Sequence, residues 1–175
     1  MVGPELQFSF PEGQTDDGRK LAQPMLLGNP SHLKHFIALD QRLLGFDPGT
    51  KTLGTAISDT SLKVATPLKT IQRKKFRDDV AEIRKIVEEH NIGGFVIGLP
   101  LNMDGSEGPR VHSCKQFQKN LDEAFDLPAC FWDERLSTVA VTRTLLDADA
   151  SRKRRGEVVD KMAAAFILQG ALDSL

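Results

Sequence analysis

No apolar run in this chain approaches the roughly 20 residues needed to cross a bilayer, so no membrane-spanning helix and no membrane partner are expected. The first residues, MVGPELQFSF, lack the basic start and apolar segment of a secretory signal. There are only two cysteines, Cys114 and Cys130, with no CxxC spacing and no partnering histidine cluster. That argues against a disulfide framework or a Cys/His metal site and points to free thiols in a reducing compartment. Charge of one sign is also lacking: the formal net charge is −1, so total charge names no partner and only its distribution is informative. No internal repeat is visible. The expectation is a soluble, cytoplasmic protein.

What is present is ordinary globular composition, 40% apolar and 27% charged, over 175 residues. That is enough for one domain with a sizeable core and too little for two full ones. Residues 1–41 differ from the rest. Pro4, Pro11, Pro24 and Pro30 interrupt them, and the polar stretch 13–18 has no periodicity. They read as a partly disordered extension, with a short helix capped by Ser31 near its end.

From residue 43 the pattern sharpens. Residues 43–47, 53–58 and 64–71 read as strands joined by short connections, hence an antiparallel meander. Phe76, Val80, Ile83 and Val87 have helical spacing, and Asn91 with Gly93-Gly94 reads as the stop. Residues 95–100 form a continuous apolar run, as in a central strand covered on both faces. A glycine-rich loop, NMDGSEGP, follows, and Pro109 opens a second helix. Residues 129–134 read as a strand ending on acids, and 136–146 as a helix with Ser137 as its cap. Residues 151–156, SRKRRG, read as a basic loop, and 157–172 as the last helix. The resulting order, βββ then αβαβαα, implies an α/β fold: a mixed five-stranded sheet, with a three-strand antiparallel meander plus two parallel strands, and helices on both faces.

Two of the apolar strands finish on carboxylates, Asp47 and Asp133, where open α/β sheets bind ligands. Asp160 lies at the start of the last helix, before the small run Ala163-Ala164-Ala165 that lets a helix approach a sheet closely. Three carboxylates from separate elements, with no His or Cys, make an oxygen-only set suited to Mg2+ or Mn2+. Glu134 is a further candidate ligand. Each acid also has a plainer role: Asp-Pro-Gly is a strong turn signal, and acids at helix starts complement the helix dipole. Basic residues gather at 69–77 and at Arg152, Lys153, Arg154 and Arg155. Beside a phosphate-cleaving centre they would contact nucleic-acid backbone, as would Lys51 and Arg135; elsewhere such a run is a solvated surface. Few aromatics flank them, so base stacking is not expected. The backbone around Asn102, Gly105 and Ser106 reads either as a phosphate-cradling loop or as a glycine-rich turn.

Four blocks carry a family resemblance. GFDPGTKTLGTAISD (45–59), VIGLPLNMDGSEGPR (96–110), DERLST (133–138) and VDKMAAAFILQGAL (159–172) resemble, in order, motifs of the YqgF/RuvX family. The resemblance implies an RNase H-like fold, kinship with Holliday-junction resolvases, and nuclease action on the precursor of 16S ribosomal RNA. It carries the metal-binding role onto Asp47, Asp133 and Asp160, and it leaves 1–41 outside a nuclease domain spanning 42–175. Pro48 and Ser137 depart from the family's usual residues without removing an acid. The central strand, VIGLP, lacks the acid that junction resolvases of this superfamily carry there. The leading expectation is therefore a metal-dependent nuclease maturing the 5′ end of precursor 16S rRNA, with ribosomal particles as further partners. The alternatives are a resolvase acting on branched DNA and a nucleic-acid-binding factor with vestigial chemistry. An actin-type ATPase ranks last, because the chain is too short for two lobes.

Overall fold

The structure, a computed structural model, describes residues 26–136 and 152–175, and in the latter stretch the side chains from 159 onward. The helix expected over 136–146, its cap Ser137, and most of the expected N-terminal extension lie outside the described residues.

Among the described residues the sheet has six strands rather than five. They are β1 (Leu26–Leu27), β2 (Arg42–Pro48), β3 (Thr52–Ser58), β4 (Ala65–Gln72), β5 (Ile92–Leu99) and β6 (Ala129–Asp133), ordered β1-β6-β5-β2-β3-β4. The meander β2–β3–β4 is antiparallel; β5 joins β2, and β6 joins β5, in parallel. The extra strand comes from the segment read as an extension: Leu26 and Leu27 pair parallel with Ala129 and Cys130. Two residues are too few for an alternating pattern to show, so sequence gave no strand signal there. A 3-10 helix follows at Pro30–His35, capped by the Asn29 side chain at the Ser31 amide, and it buries Leu33 completely.

Among the described residues three α-helices cover the two faces: α1 (Phe76–Glu89), α2 (Pro109–Ala124) and α3 (Arg152–Asp173). Alternation along the strands divides the core. Leu44, Phe46, Leu53, Phe95 and Ile97 pack with Ile83, Ile86, Phe117 and Leu121 of α1 and α2. Leu43, Ala56, Val96, Cys130 and Trp132 pack with Ala163, Ala164, Ile167 and Leu168 of α3. On the first face Phe46 meets Phe95 at 5.5 Å and Phe117 at 5.4 Å between ring centroids. Such pairs contribute about 0.5–1.5 kcal/mol each beyond burial.

Two boundaries differ from expectation. Gly93 and Gly94 lie inside β5 instead of ending the preceding helix; Asn91, at φ +52°, makes the reversal. At Gly94 a Cβ would stand 3.2 Å from the Pro128 carbonyl and 2.9 Å from Ile37 Cδ1, so the glycine is there for close approach. The last helix begins at Arg152, so the basic run is its first turn and not a loop. Cations at a helix N-terminus oppose the dipole, which is why the composition suggested otherwise. Asp160 accordingly lies in the third turn, where the dipole gives an acid no advantage.

The second face is closed by α3 lying directly on glycines. A Cβ on Gly45 would come 2.8 Å from Leu168 Cβ, and one on Gly54 would collide with the main-chain oxygen of Asp160. Among the described residues no helix is long and apolar enough to cross a membrane.

Gly54→Ala is expected to destabilise the protein by roughly 1–3 kcal/mol, because the clash is with backbone that cannot swing aside. Urea unfolding measures it, and an unchanged midpoint would show that α3 does not rest on Gly54. Burial pushes both Cys114 and Cys130 up to about 12. At pH 8 neither thiol should react with a chromogenic disulfide reagent in the folded protein, and both should react in denaturant. Reaction of either without unfolding would contradict the burial.

Candidate active site at the carboxyl edge of the sheet

β2, β4, β5 and β6 all run the same way, so their carboxyl ends share one edge of the sheet. That edge collects Asp47, the Arg73-Lys74 segment after β4, the 102–108 loop after β5, and the 134–136 turn after β6.

Asp47 is 3% exposed and pairs across the ladder with Gly54 of β3. It alternates with Phe46, which faces α1 and α2, and so belongs to the α3 face with Gly45. On β5, Phe46 pairs with Ile97, which sets Asp47 beside Gly98. Gly54, Asp47 and Gly98 therefore form one row across three strands. The flanking glycines leave room above the sheet on both sides. Over Gly54 lies the main chain of Asp160. Over Gly98 lies the Glu134 carboxylate, whose Oε1 would be 2.7 Å from a Cβ there. The structure thus brings Asp47, Glu134 and residue 160 together, and buries Oδ1 of Asp47 and Oε1 of Glu134.

Asp133 is placed differently. It alternates with Trp132, which packs against Gly170 of α3, and so belongs to the opposite face. There Arg135 holds it: Nε donates to both carboxylate oxygens at 3.0 Å, Nη2 donates to Oδ2 at 2.6 Å, and the Arg135 amide donates to Oδ1 at 3.0 Å. These hydrogen bonds hold the Asp133 carboxyl below its ordinary value. Arg135 is thereby committed to an acid, with a long contact to the Met103 carbonyl at 3.5 Å. The pair closes the three-residue 3-10 turn Glu134–Leu136 and so fixes where Glu134 points.

The 102–108 loop is satisfied from within. The Gly105 amide donates to the Asn102 carbonyl at 2.8 Å, and Gly105 takes φ +84° to do so. The Ser106 amide and hydroxyl both donate to Asp104 Oδ1, at 2.9 and 2.6 Å, and hold that carboxyl below its ordinary value. Asn102 Nδ2 donates to Ser106 Oγ at 2.8 Å. The amides read as phosphate donors are therefore occupied by the loop's own oxygens. Lys51 is exposed in the β2–β3 turn, and its carbonyl accepts from the Arg73 amide at 2.9 Å. The backbones of Arg152, Lys153, Arg154 and Arg155 form the start of α3; their side chains lie outside the described residues.

The electrostatics agree with the geometry. The thiol of Cys114, buried under this edge, is pushed up first by burial, then by the charge of Glu134, and also by that of Asp47. Among the described residues no three His, Cys, Asp or Glu groups already stand close enough to hold a cation. Asp47 and Glu134 nonetheless fit a hard divalent ion. Both offer oxygen only, Glu134 Oε1 lies over Gly98, which neighbours Asp47 on the adjacent strand, and like charges brought near one another favour a shared cation. Sequence reading weighted Asp133 over Glu134 and missed Gly54 and Gly98; glycine inside a strand was the available signal.

The profile of the family described as "RuvX: Holliday junction resolvase" matches residues 41–174. A protein of Paramagnetospirillum magneticum is 57% identical over 145 residues, 83% of this chain and 94% of that protein. One of Rhodobacter capsulatus is 61% identical over 133 residues, 76% of this chain and 84% of its own length. One of Roseobacter denitrificans is 60% identical over 135 residues, 76% and 83% respectively. All three carry the name "Putative pre-16S rRNA nuclease". Among solved structures, Thermus thermophilus RuvC overlaps with a TM-score of 0.43 at 14% identity, covering 77% of this chain and 98% of that one. The family profile covers the stretch that carries the four motif blocks and the edge just described, and the chain belongs to the RuvX family.

Proposed function

We propose that this protein is a divalent-metal-dependent nuclease that hydrolyses phosphodiester bonds and matures the 5′ end of precursor 16S rRNA in the cytoplasm, on or near ribosomal particles. The name shared by its relatives supports the substrate. The observation that carries the chemistry is the Gly54–Asp47–Gly98 row, which sets residue 160 and the Glu134 carboxylate on either side of Asp47. Residues 42–175 constitute the catalytic domain.

Asp47, Glu134 and Asp160 are the proposed ligands of Mg2+ or Mn2+. A divalent metal held by these carboxylates would supply Lewis-acid chemistry, activating the attacking water and, with a second ion, offsetting charge on the leaving oxygen. Asp133, already held by Arg135, acts one step back: it locks the 134–136 turn and so orients Glu134. Cys114, the thiol beneath this edge, is kept protonated by burial and is not set up as a covalent nucleophile. The basic first turn of α3 and Lys51 supply backbone contacts that carry little sequence information.

The family's description favours a second reading, resolution of four-way DNA junctions. The experiment that separates the two incubates the protein, with Mg2+ or Mn2+, with precursor rRNA fragments and with junctions. Cleavage of RNA alone supports the proposal; cleavage of junctions alone replaces it; cleavage of neither leaves a binding factor. Asp47→Asn and Glu134→Gln should each lower the cleavage rate by about a hundredfold or more while leaving RNA binding intact. Asp133→Asn should cost less, since it removes an orienting contact. A dead Asp133→Asn beside a fully active Glu134→Gln would exchange the two roles.

A further inference from the structure

Around the end of β2 from the acids, on the side of α2, lies an open groove of about 430 Å3 that the chemistry above does not use. Its floor is the turn 48–50, which directly follows Asp47. Its walls carry Arg73 and Lys74 from the β4–α1 connection, and Arg110, Ser113, Gln116 and Asn120 from α2. Three cations from two separate elements thus converge beside an acidic centre.

The groove is built rather than incidental. Arg73 is fixed on three sides. Its Nη1 donates to the Gly49 carbonyl at 2.7 Å, its Nε lies 3.3 Å from Asp79 Oδ2, and its guanidinium stands 5.5 Å over the Phe117 ring. Asp79, 2% exposed, is the acid facing this cluster, and it is consumed by Arg73 and by the Lys74 amide at 3.3 Å. Among the described residues neither Lys74 nor Arg110 has an ion-pair partner, and both are exposed. Gln116 and Asn120 are joined side chain to side chain at 2.8 Å, one turn apart on the groove wall. The groove is therefore cationic and lined by donors. Its aromatic residue, Phe117, is buried, with its face already covered by Arg73 and its edge against other rings.

We propose that this groove holds a backbone phosphate of the substrate strand next to the scissile one, with Lys74 and Arg110 as its direct contacts and Arg73 as the residue that positions the turn; this rests on the nuclease reading above. The chain order sets which phosphate. Pro48, directly beyond Asp47, and Gly49 line the groove, so a phosphate held there lies beside the acidic centre and not within it. With no ring free to stack on, recognition is of backbone and not of base, and it tracks the strand across the β2 turn from one face of the sheet to the other.

The test is salt-dependent binding of a fluorescein-labelled single-stranded RNA, by anisotropy, without added divalent ion so that nothing is cut. The Lys74→Gln/Arg110→Gln protein is compared with wild type and with Lys63→Gln/Lys85→Gln, which removes the same charge from exposed sites elsewhere. Loss of two phosphate contacts should flatten the log–log salt slope by about 1.4–1.8 in the groove variant only. With Mg2+, its KM should rise while its turnover at saturating RNA stays near wild type. A slope unchanged, or lowered equally in the control, overturns the groove while leaving the nuclease reading intact. A wild-type protein that neither binds nor cuts RNA overturns both. Circular dichroism of each variant checks the fold, since all four side chains are at the surface.

Discussion

The candidate site depends on how closely α3 can lie on the sheet, and that is set by the absence of side chains at three strand positions. Where Gly45, Gly54 and Gly98 face the helix, its main chain at Asp160 and Ala164 and the side chains of Leu168 and Ile167 come directly onto the strands. The helix answers with Ala163, Ala164 and Ala165, all buried. The attraction at such a contact is dispersion summed over many atoms, and it is lost steeply with small increases in distance. The same closeness that holds the layer together therefore fixes the lateral position of residue 160 against Asp47. Packing and site geometry are one constraint here, because interiors at this density transmit displacement instead of absorbing it.

Around that contact the edge of the sheet is zoned by charge. Asp47 and Glu134 lie on the α3 face and Arg73, Lys74 and Arg110 line the groove on the α2 side, and the turn after β2 lies between them. Arg135 and Asp133 sit at one boundary, Arg73 and Asp79 at the other, and each pair uses an arginine to pin a short connection. The arrangement leaves a negative patch suited to a cation beside a positive patch suited to an anion. Opposite patches at this spacing also attract each other's ligands, so occupation of one favours occupation of the other.

Much of this was legible from the chain. The meander showed through apolar runs broken by Pro48-Gly49 and by 60–63, and the parallel strands through FVIGL and ACFW. Asp47 was legible because a carboxylate at the end of an apolar strand conflicts with burial. Other features were hidden for identifiable reasons. Glu134 comes near Asp47 because a 3-10 turn carries it back over Gly98, and no periodicity encodes that reversal. Strand alternation sends Asp133 to the far face, which could be seen only once the partner face of Trp132 was known. The helix start at Arg152 was masked by four cations whose charge opposes the dipole. Arg110 and Arg73 are 37 residues apart in sequence, so their convergence is a property of the fold alone.

The two outermost strands have a consequence for the behaviour of the folded molecule in crowded solution. On one side the sheet ends in β1, only two residues long. On the other it ends in β4, which carries Pro67 opposite Ala56, beside an irregularity where Thr55 Oγ1 donates to the Lys69 carbonyl at 2.6 Å and accepts from the Lys69 amide at 3.2 Å. A proline has no amide hydrogen to offer, and a side chain has replaced part of the regular ladder. Among the described residues one border is thus very short and the other is interrupted by a proline, two devices that shorten the row of main-chain groups a sheet margin offers to a passing chain and so disfavour amyloid-like growth.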